Sequence, residues 1–213
     1  MKVNHFIATI VLLLVYYTSS AQTFRSVNNP PNHLWNDASS WDLGSVPTSG
    51  DTVLILNNDT IVVNTNTNVD KVTLRGNGQL QVNSGSTLTV LQNVAVQAQN
   101  HNGNTTSLIV NGTLSVGNNL AITSRKKINY TAIISGSGTI STVNNFTLNG
   151  DTTSATATIS TPINVGNNCT VTAKNASGEL TTNLNSTLNI TGNLTLRTQN
   201  GADSTNNLFD MRF

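Results

Sequence analysis

The chain has 213 residues and a formal net charge of +1, and only 9% of its residues are charged, against about 25% in a typical globular protein. This balance gives no electrostatic reason to expect a nucleic acid or an anionic membrane surface as partner. The single cysteine, Cys169, excludes an internal disulfide framework.

The chain begins with the pattern of a secretory signal peptide. Lys2 supplies a positive charge, residues 6–15 are apolar, and residues 19–21 are Ser-Ser-Ala, a small-residue cleavage site. We therefore expect residues 1–21 to be removed and the protein to be secreted or displayed on the outer cell surface. The alternative is a membrane anchor, but an apolar run of about 10 residues is shorter than the roughly 20 that span a bilayer. We expect no membrane insertion after cleavage.

Residues 22–50 differ in composition from everything that follows. Both tryptophans, Trp35 and Trp41, and three of the four prolines lie before residue 51. The first coil of a stacked repeat protein has an exposed apolar end and unpaired strand edges, which need a cover. Large aromatic side chains and turns set by Pro and Gly suit that role, so we predict an N-terminal lead and cap at residues 22–50.

Residues 51–197 contain a repeated pattern of short strands with alternating polar and apolar residues, joined by Gly- and Asn-rich corners. Equivalent apolar positions recur at a nearly constant interval: Leu88, Leu114, Ile140, Ile163 and Leu188. Such a repeat predicts a solenoid, in which each unit buries its apolar side only by stacking on its neighbours. We therefore predict an all-β fold, a right-handed parallel β-helix of about six coils with a period of about 23–26 residues; the hand is that of parallel crossovers in general.

Asparagine and threonine are the two most abundant residue types in the chain, and they replace the charged residues that a typical protein carries. Equivalent residues on successive coils lie about 4.8 Å apart. A charge repeated on every coil would therefore lie next to a like charge, which is destabilising. Asn and Thr columns can instead form hydrogen bonds along the stack. Cys169 aligns with apolar positions of neighbouring units and is predicted to be buried; these positions are Leu120, Phe146 and Leu194.

Three stretches depart from the repeat. Residues 98–106 are predicted to form a polar loop between strands. Residues 124–127, Ser-Arg-Lys-Lys, form a charge cluster that could attract an acidic polysaccharide or could be a solvated corner. Residues 198–213 lose the repeat, and this tail is either a cap over the last coil or the point where a longer protein was cut.

The sequence predicts no catalytic, metal-binding or cofactor-binding residue. Glycan-cleaving β-helices need clustered carboxylates, as an acid/base pair or as calcium ligands. After Lys71, no two acids are expected to lie one coil apart; they are Asp151, Glu179, Asp203 and Asp210. Four earlier acids are predicted to serve turns or caps rather than a metal; they are Asp37, Asp42, Asp51 and Asp59. His33 and His101 lie far apart, with no Cys or acid at ligand spacing.

Threonine pairs raise the possibility of an ice-binding surface. Thr-x-Thr occurs at residues 87–89, 156–158 and 170–172, and flat threonine arrays on solenoids are similar to ice-binding faces. The column is expected to be broken at Ser115, Ser141 and Asn164. We therefore interpret these threonines as ordinary outward-facing β-formers.

The opening segment resembles a known class of exported proteins. The resemblance is carried by the following residues: Trp35 and Trp41 with five residues between them, then Gly44, Pro47, Gly50, Asp51 and the apolar strand at 53–56. This looks like the start of β-helical repeat regions in surface or adhesin-like proteins of Bacteroidota-type bacteria, which are clients of type IX secretion. It is also similar to the opening of the eight-glycine extracellular domain of proteins such as fibrocystin. The resemblance implies a β-helix, a surface location and an adhesive role, and it carries no catalytic residue.

We therefore predict a secreted or cell-surface scaffold, adhesin-like and non-catalytic, that presents an Asn/Thr-rich face to carbohydrate or another surface. Weak contacts that are repeated along a rigid rod act together and raise the overall affinity of such a face for its ligand. The protein is expected to be monomeric or part of a longer chain, without cofactor. The alternative is the N-terminal fragment of a carbohydrate-active β-helical enzyme, of polysaccharide lyase or hydrolase type, with catalytic coils beyond residue 213.

Overall fold

The computed structural model describes residues 20–27, 33–99, 105–125, 130–151, 154–174, 179–199 and 209–212. Within these ranges the regular elements are 21 strands and one short 3-10 helix, Ala38–Ser40. Residues 1–19, which hold most of the predicted signal peptide, lie outside the described ranges. No helix among the described residues is long and apolar enough to cross a membrane.

Three parallel sheets run along the stack. Sheet 1 contains β1 (Thr23–Arg25), β2 (Thr52–Ile55), β5 (Lys71–Arg75), β8 (Val94–Gln99), β11 (Leu120–Arg125), β14 (Phe146–Asp151), β17 (Cys169–Lys174) and β20 (Leu194–Gln199). Sheet 2 contains β3 (Thr60–Val63), β6 (Gln79–Val82), β9 (Thr105–Val110), β12 (Tyr130–Ser135), β15 (Ser154–Ile159), β18 (Glu179–Leu184) and β21 (Phe209–Arg212). Sheet 3 contains β4 (Thr67–Val69), β7 (Thr87–Val90), β10 (Thr113–Val116), β13 (Thr139–Thr142), β16 (Ile163–Val165) and β19 (Leu188–Ile190).

Each of the six complete coils, from β2–β4 to β17–β19, contributes one strand to each sheet, and every strand pairs in parallel with the strand one coil away. The predicted β-solenoid is therefore confirmed. The five apolar positions found by their spacing stand in one column of sheet 3, from Leu88 on β7 to Leu188 on β19. Because side chains alternate between the two faces of a strand, one set of Val, Leu and Ile residues from all three sheets fills the interior.

The coil length varies, and the predicted period describes the middle of the stack only. The register pairs Thr52 with Lys71 and Val72 with Val94, and both intervals are shorter than any in the predicted repeat. β2 and β3 have four residues each, whereas β8 and β9 have six each. Shorter strands close a shorter coil, so the first two coils have a smaller period than the third.

Residues before β2 form a layer over the first coil. β1 pairs with β2 in sheet 1, and the backbone N–H of Trp35 donates to the Val62 carbonyl of sheet 2 at 2.9 Å. Trp35 and Trp41 are 1% and 2% exposed and pack edge to face, with ring centroids 5.2 Å apart. Phe24 packs edge to face on Trp41. This layer extends sheets 1 and 2 and covers the apolar end of the interior with aromatic rings.

Two stretches predicted to lie outside the coils are partly strand. Ala98 on β8 and Thr106 on β9 are buried, and the Thr106 hydroxyl donates to the Gln97 carbonyl at 3.4 Å; only residues 100–104 separate these strands. Ser124 and Arg125 end β11 and pair in register with Gly150 and Asp151. The predicted polar loop is therefore shorter than residues 98–106, and half of the charge cluster belongs to sheet 1.

The tail also continues the stack. β20 runs to Gln199, and β21 pairs with β18 in register, Phe209 with Leu180. The prediction that residues 198–213 lose the repeat is wrong for these two strands. The residues that separate them, 200–208, lie outside the described ranges, and this long connection hides the repeat from a search by spacing.

Cys169 occupies the inward position expected of it. It pairs in register with Phe146 and Leu194 and is fully buried. Burial raises the pKa of its thiol to about 11, because a thiolate loses its hydration in an apolar interior. The cysteine therefore serves as a small apolar residue of the core.

Candidate functional site

The early aspartates stabilise turns, as the sequence predicted. Asp37 caps the 3-10 helix by accepting a hydrogen bond from the Ser39 N–H at 2.9 Å. Asp42 accepts from the Arg25 N–H at 2.8 Å. The buried Asp59 accepts from the Ser26 hydroxyl at 2.5 Å. Asp37 therefore caps its own turn, whereas Asp42 and Asp59 each join two segments of the first coil and its cover that are distant in sequence.

Asp51 joins the start of the described chain to the turn that precedes β2. It is 5% exposed, and it accepts hydrogen bonds from the Gln22 N–H at 2.9 Å and from the N–H and hydroxyl of Thr48 at 2.8 and 2.9 Å. Burial by itself would raise the pKa of Asp51, but these hydrogen bonds outweigh it and hold the pKa below its usual value. The charged form is therefore the one that the fold stabilises.

Replacing Asp51 by asparagine should lower the free energy of unfolding by about 1–3 kcal/mol at pH 6, because an amide nitrogen would face one of the present donors. The pKa of Asp51 is lower in the folded than in the unfolded protein. Its contribution to the free energy of unfolding is therefore complete above about pH 3.9, and it is lost as the pH falls through the folded pKa. Urea unfolding of both proteins between pH 6 and pH 2.5 measures this. Equal differences between wild type and Asp51→Asn at both ends of the range would contradict it.

The remaining acids do not form a metal site in the described part of the chain, where no three His, Cys, Asp or Glu residues cluster. The Nδ1 atom of His33 lies 3.2 Å from the Thr60 carbonyl oxygen, while His101 and Asp203 fall outside the described ranges. Asp151 lies at the end of β14 in sheet 1.

One expectation about the acids is wrong. Glu179 on β18 and Asp210 on β21 lie on adjacent strands of sheet 2, offset by two positions in register. Sequence spacing did not reveal this pair, because residues 200–208 make the last coil longer than the others. The two acids therefore stand on neighbouring coils, where the sequence reasoning expected none.

The most regular polar feature is a ladder of asparagines at the corner before sheet 1, which we call the Asn ladder. Its members immediately precede β8, β11, β14, β17 and β20, and are Asn93, Asn119, Asn145, Asn168 and Asn193. The backbone N–H of each later member donates to the side-chain Oδ1 of the member one coil earlier, at 2.9–3.2 Å. The Asn ladder therefore satisfies a backbone donor at the same corner of four successive coils.

Side-chain amides reinforce the middle of the Asn ladder. The Nδ2 atom of Asn119 donates to Asn93 Oδ1 at 3.2 Å, and that of Asn145 donates to Asn119 Oδ1 at 3.1 Å. The ladder carbonyls accept from the strands of the preceding coil, as in the bond from the Val94 N–H to the Asn119 carbonyl at 3.0 Å. These bonds fix the conformation of the corner where the chain enters sheet 1.

A shallow open groove of about 540 Å³ follows the Asn ladder along the outer face of sheet 1. The Asn ladder forms one side, and the floor is a column of outward residues one coil apart: Ala95, Ala121, Thr147 and Thr170. These four residues are half-buried. No charged residue lines the groove in the described structure. We call this feature the ladder groove; it offers amides, hydroxyls and methyl groups at a repeat of one coil.

Three other outward columns, one on sheet 3 and two on sheet 2, bear on the threonine hypothesis. On sheet 3 the column is interrupted as predicted: Thr89, Ser115, Ser141, Asn164 and Asn189. On sheet 2 four threonines stand in uninterrupted register: Thr105, Thr131, Thr156 and Thr181. The adjacent column mixes polar and apolar residues: Ser107, Ile133, Thr158 and Asn183. A flat two-column threonine array is therefore not formed by the described residues of either sheet.

Replacing Asn119 by alanine should lower the free energy of unfolding by about 2–3 kcal/mol. The change removes three ladder bonds and leaves the Asn145 N–H of a half-buried corner without its acceptor. The matched control is Asn118→Ala, the preceding residue, whose Oδ1 accepts one exposed bond from Asn144 Nδ2, with an expected loss of about 0.5–1 kcal/mol. Urea unfolding followed by circular dichroism measures both; equal losses would contradict a structural role for the ladder.

The chain matches no protein-family model, no curated protein and no solved structure.

Proposed function

We propose that this protein is an exported, non-catalytic scaffold that holds carbohydrate on the outer face of its solenoid. The observation that carries the proposal is the ladder groove, in which an asparagine amide and a small neutral floor residue, alanine or threonine, return on each of four coils. Amide and hydroxyl groups are suitable partners for sugar hydroxyls, and repetition along a rigid rod adds weak contacts together. Export and surface location remain part of the proposal, supported by the signal-peptide pattern of residues 1–21.

The rigidity of the scaffold supports this role. Parallel strands, buried aliphatic columns and the Asn ladder hold successive outward side chains in register. The early carboxylates are engaged in turns and caps. A preorganised surface loses little conformational entropy when a ligand binds, which favours binding by groups that are individually weak.

A second candidate is a carbohydrate-active enzyme, of polysaccharide lyase or hydrolase type. The specific observation in its favour is the placement of Glu179 and Asp210 on adjacent strands of sheet 2. A pair of carboxyl groups is the usual minimum for acid/base cleavage of a glycosidic bond. This candidate is weaker because these two residues stand on a different sheet from the ladder groove.

Co-sedimentation and affinity electrophoresis with a panel of polysaccharides test the two candidates. The panel contains neutral polymers (mixed-linkage β-glucan, glucomannan and xylan) and acidic ones (alginate, polygalacturonate and hyaluronan). The scaffold proposal expects retention by at least one polymer without new reducing ends or unsaturated products. Release of such products, abolished by Glu179→Gln, would establish the enzyme instead. Retention by no polymer would overturn the carbohydrate proposal.

A further inference from the structure

We propose that the ladder groove binds a single uncharged, linear polysaccharide chain lying along the solenoid axis, with one sugar residue per coil. This inference rests on the proposed function and adds the binding face, the ligand's direction and its charge class. The inference rests on three features of the groove: the direction of its floor, the chemistry of its lining residues, and the fixed spacing of these residues from coil to coil.

The direction follows from the register. The floor residues Ala95, Ala121, Thr147 and Thr170 pair directly from strand to strand, so the floor runs across the strands and parallel to the stack. Neighbouring strands of a sheet lie about 4.8 Å apart, close to the length that one sugar residue takes up in an extended β-linked chain. A ligand along this axis therefore meets one ladder asparagine and one small neutral floor residue on each coil, whereas a ligand across it meets them once.

The charge class follows from the lining. The residues that line the groove are four asparagines of the Asn ladder, Thr147 and Thr170, Ala95 and Ala121, and Val94. Cations lie beyond its ends: Lys71 stands one coil before Asn93 and pairs with Asp70 at 3.7 Å, and Arg75 and Arg197 stand on the neighbouring outward column, where Arg75 donates from its Nε to Gln97 Oε1 at 2.9 Å. A carboxylate placed among the lining residues would lose hydration without meeting a cationic partner there, which is unfavourable. Sugar hydroxyls find both donors and acceptors there.

The ladder amides retain capacity for a ligand. The amide nitrogen of Asn119 uses one hydrogen for Asn93, and that of Asn145 uses one for Asn119, whereas each side-chain amide has two hydrogens. The bonds within the Asn ladder hold these nitrogens in place before a ligand arrives. The groove floor contains no aromatic ring among its lining residues, so affinity must come from repeated hydrogen bonds. We therefore expect oligosaccharides to bind more tightly as they lengthen, up to about four sugar residues, one for each coil of the floor.

The test fills the groove without touching the Asn ladder. In Ala121→Tyr, a large side chain stands in the middle of the floor. The matched control is Ser115→Tyr, which places the same side chain at a half-buried outward position of sheet 3, on the strand that immediately precedes β11. Both positions are strand positions that accept an aromatic residue, and circular dichroism with urea unfolding verifies that both variants fold. Binding is measured by affinity electrophoresis on the six polymers, at low and at high salt.

The expected result is retention by a neutral polymer that is insensitive to salt, weakened about 10-fold or more by Ala121→Tyr and unchanged by Ser115→Tyr. Two results would overturn this inference and leave the proposed function standing: equal retention of wild type and Ala121→Tyr, or retention by acidic polymers alone that falls as salt rises. Retention of wild type by none of the six polymers would overturn both the inference and the proposed function.

Discussion

Replacing Trp41 by alanine should lower the free energy of unfolding by about 3–5 kcal/mol. The indole is 2% exposed and packs edge to face on Trp35 and Phe24, with ring centroids 5.2 and 6.3 Å away. Its Nε1 also donates to the Trp35 carbonyl at 2.8 Å. Truncation therefore leaves a cavity, removes two aromatic contacts and leaves a buried carbonyl without this donor.

The effect should spread beyond the mutated layer. A stack of coils is stabilised by contacts between neighbouring coils. Exposing the end of the stack therefore destabilises the first coil, and unfolding of the first coil exposes the second. Urea unfolding followed by circular dichroism measures the loss. Leu43→Ala is the control, because Leu43 is 48% exposed and its loss should cost less than about 1 kcal/mol. Similar losses for the two variants would show that the aromatic layer does not stabilise the stack.

Replacing Gly138 by alanine should cost about 3 kcal/mol, although only one methyl group is added. A Cβ at this position would lie 2.0 Å from the Gly112 carbonyl oxygen on the preceding coil. That same oxygen accepts the Thr139 N–H at 3.0 Å. The clash is between two backbones, so it can be relieved only by moving one coil away from the next, which breaks this bond and loosens the core beneath it.

The control for Gly138→Ala is Gly85→Ala. At Gly85 an added Cβ would meet nothing within 4 Å, and the cost is limited to the left-handed backbone conformation, φ of +78°, or about 1 kcal/mol. Thermal unfolding of both variants separates two costs in stability: the clash between closely stacked coils and the strain of a left-handed backbone conformation. If Gly138→Ala were as stable as Gly85→Ala, the coils would not be as tightly stacked as the structure shows.

The regular part of the fold could be predicted from sequence because its determinants are local and repeated. Alternation of polar and apolar residues marks strands, and the nearly constant spacing from Leu88 to Leu188 places those strands one above another. Cys169 could be assigned to the interior by the same comparison. The structural roles of Asp37, Asp42, Asp51 and Asp59 could also be anticipated, because they fall in turns next to a composition suited to a cover.

The parts that spacing missed have a common cause, which is a change in the length of the coil. The first coils are shorter because β2 and β3 are shorter. The strand β21 follows a long connection, residues 200–208, which concealed both the strand and the placement of Glu179 and Asp210 on adjacent strands. A repeat search compares positions at a fixed interval, so a change of interval removes the signal even where the pairing of strands continues.

The fold class, the stacking of coils and the inward columns follow from the sequence, because alternation and repeat length are sufficient to say which residues must be buried together. The same spacing predicted the outward column of sheet 3, but not that the Asn ladder and a column of small residues on sheet 1 together form a groove. The Asn ladder and the groove floor lie side by side on sheet 1. They do so because each coil passes through sheet 3 and its corners before the chain enters sheet 1 again, in register with the coil before. This placement depends on the closure of the whole coil, which local alternation and repeat length do not specify.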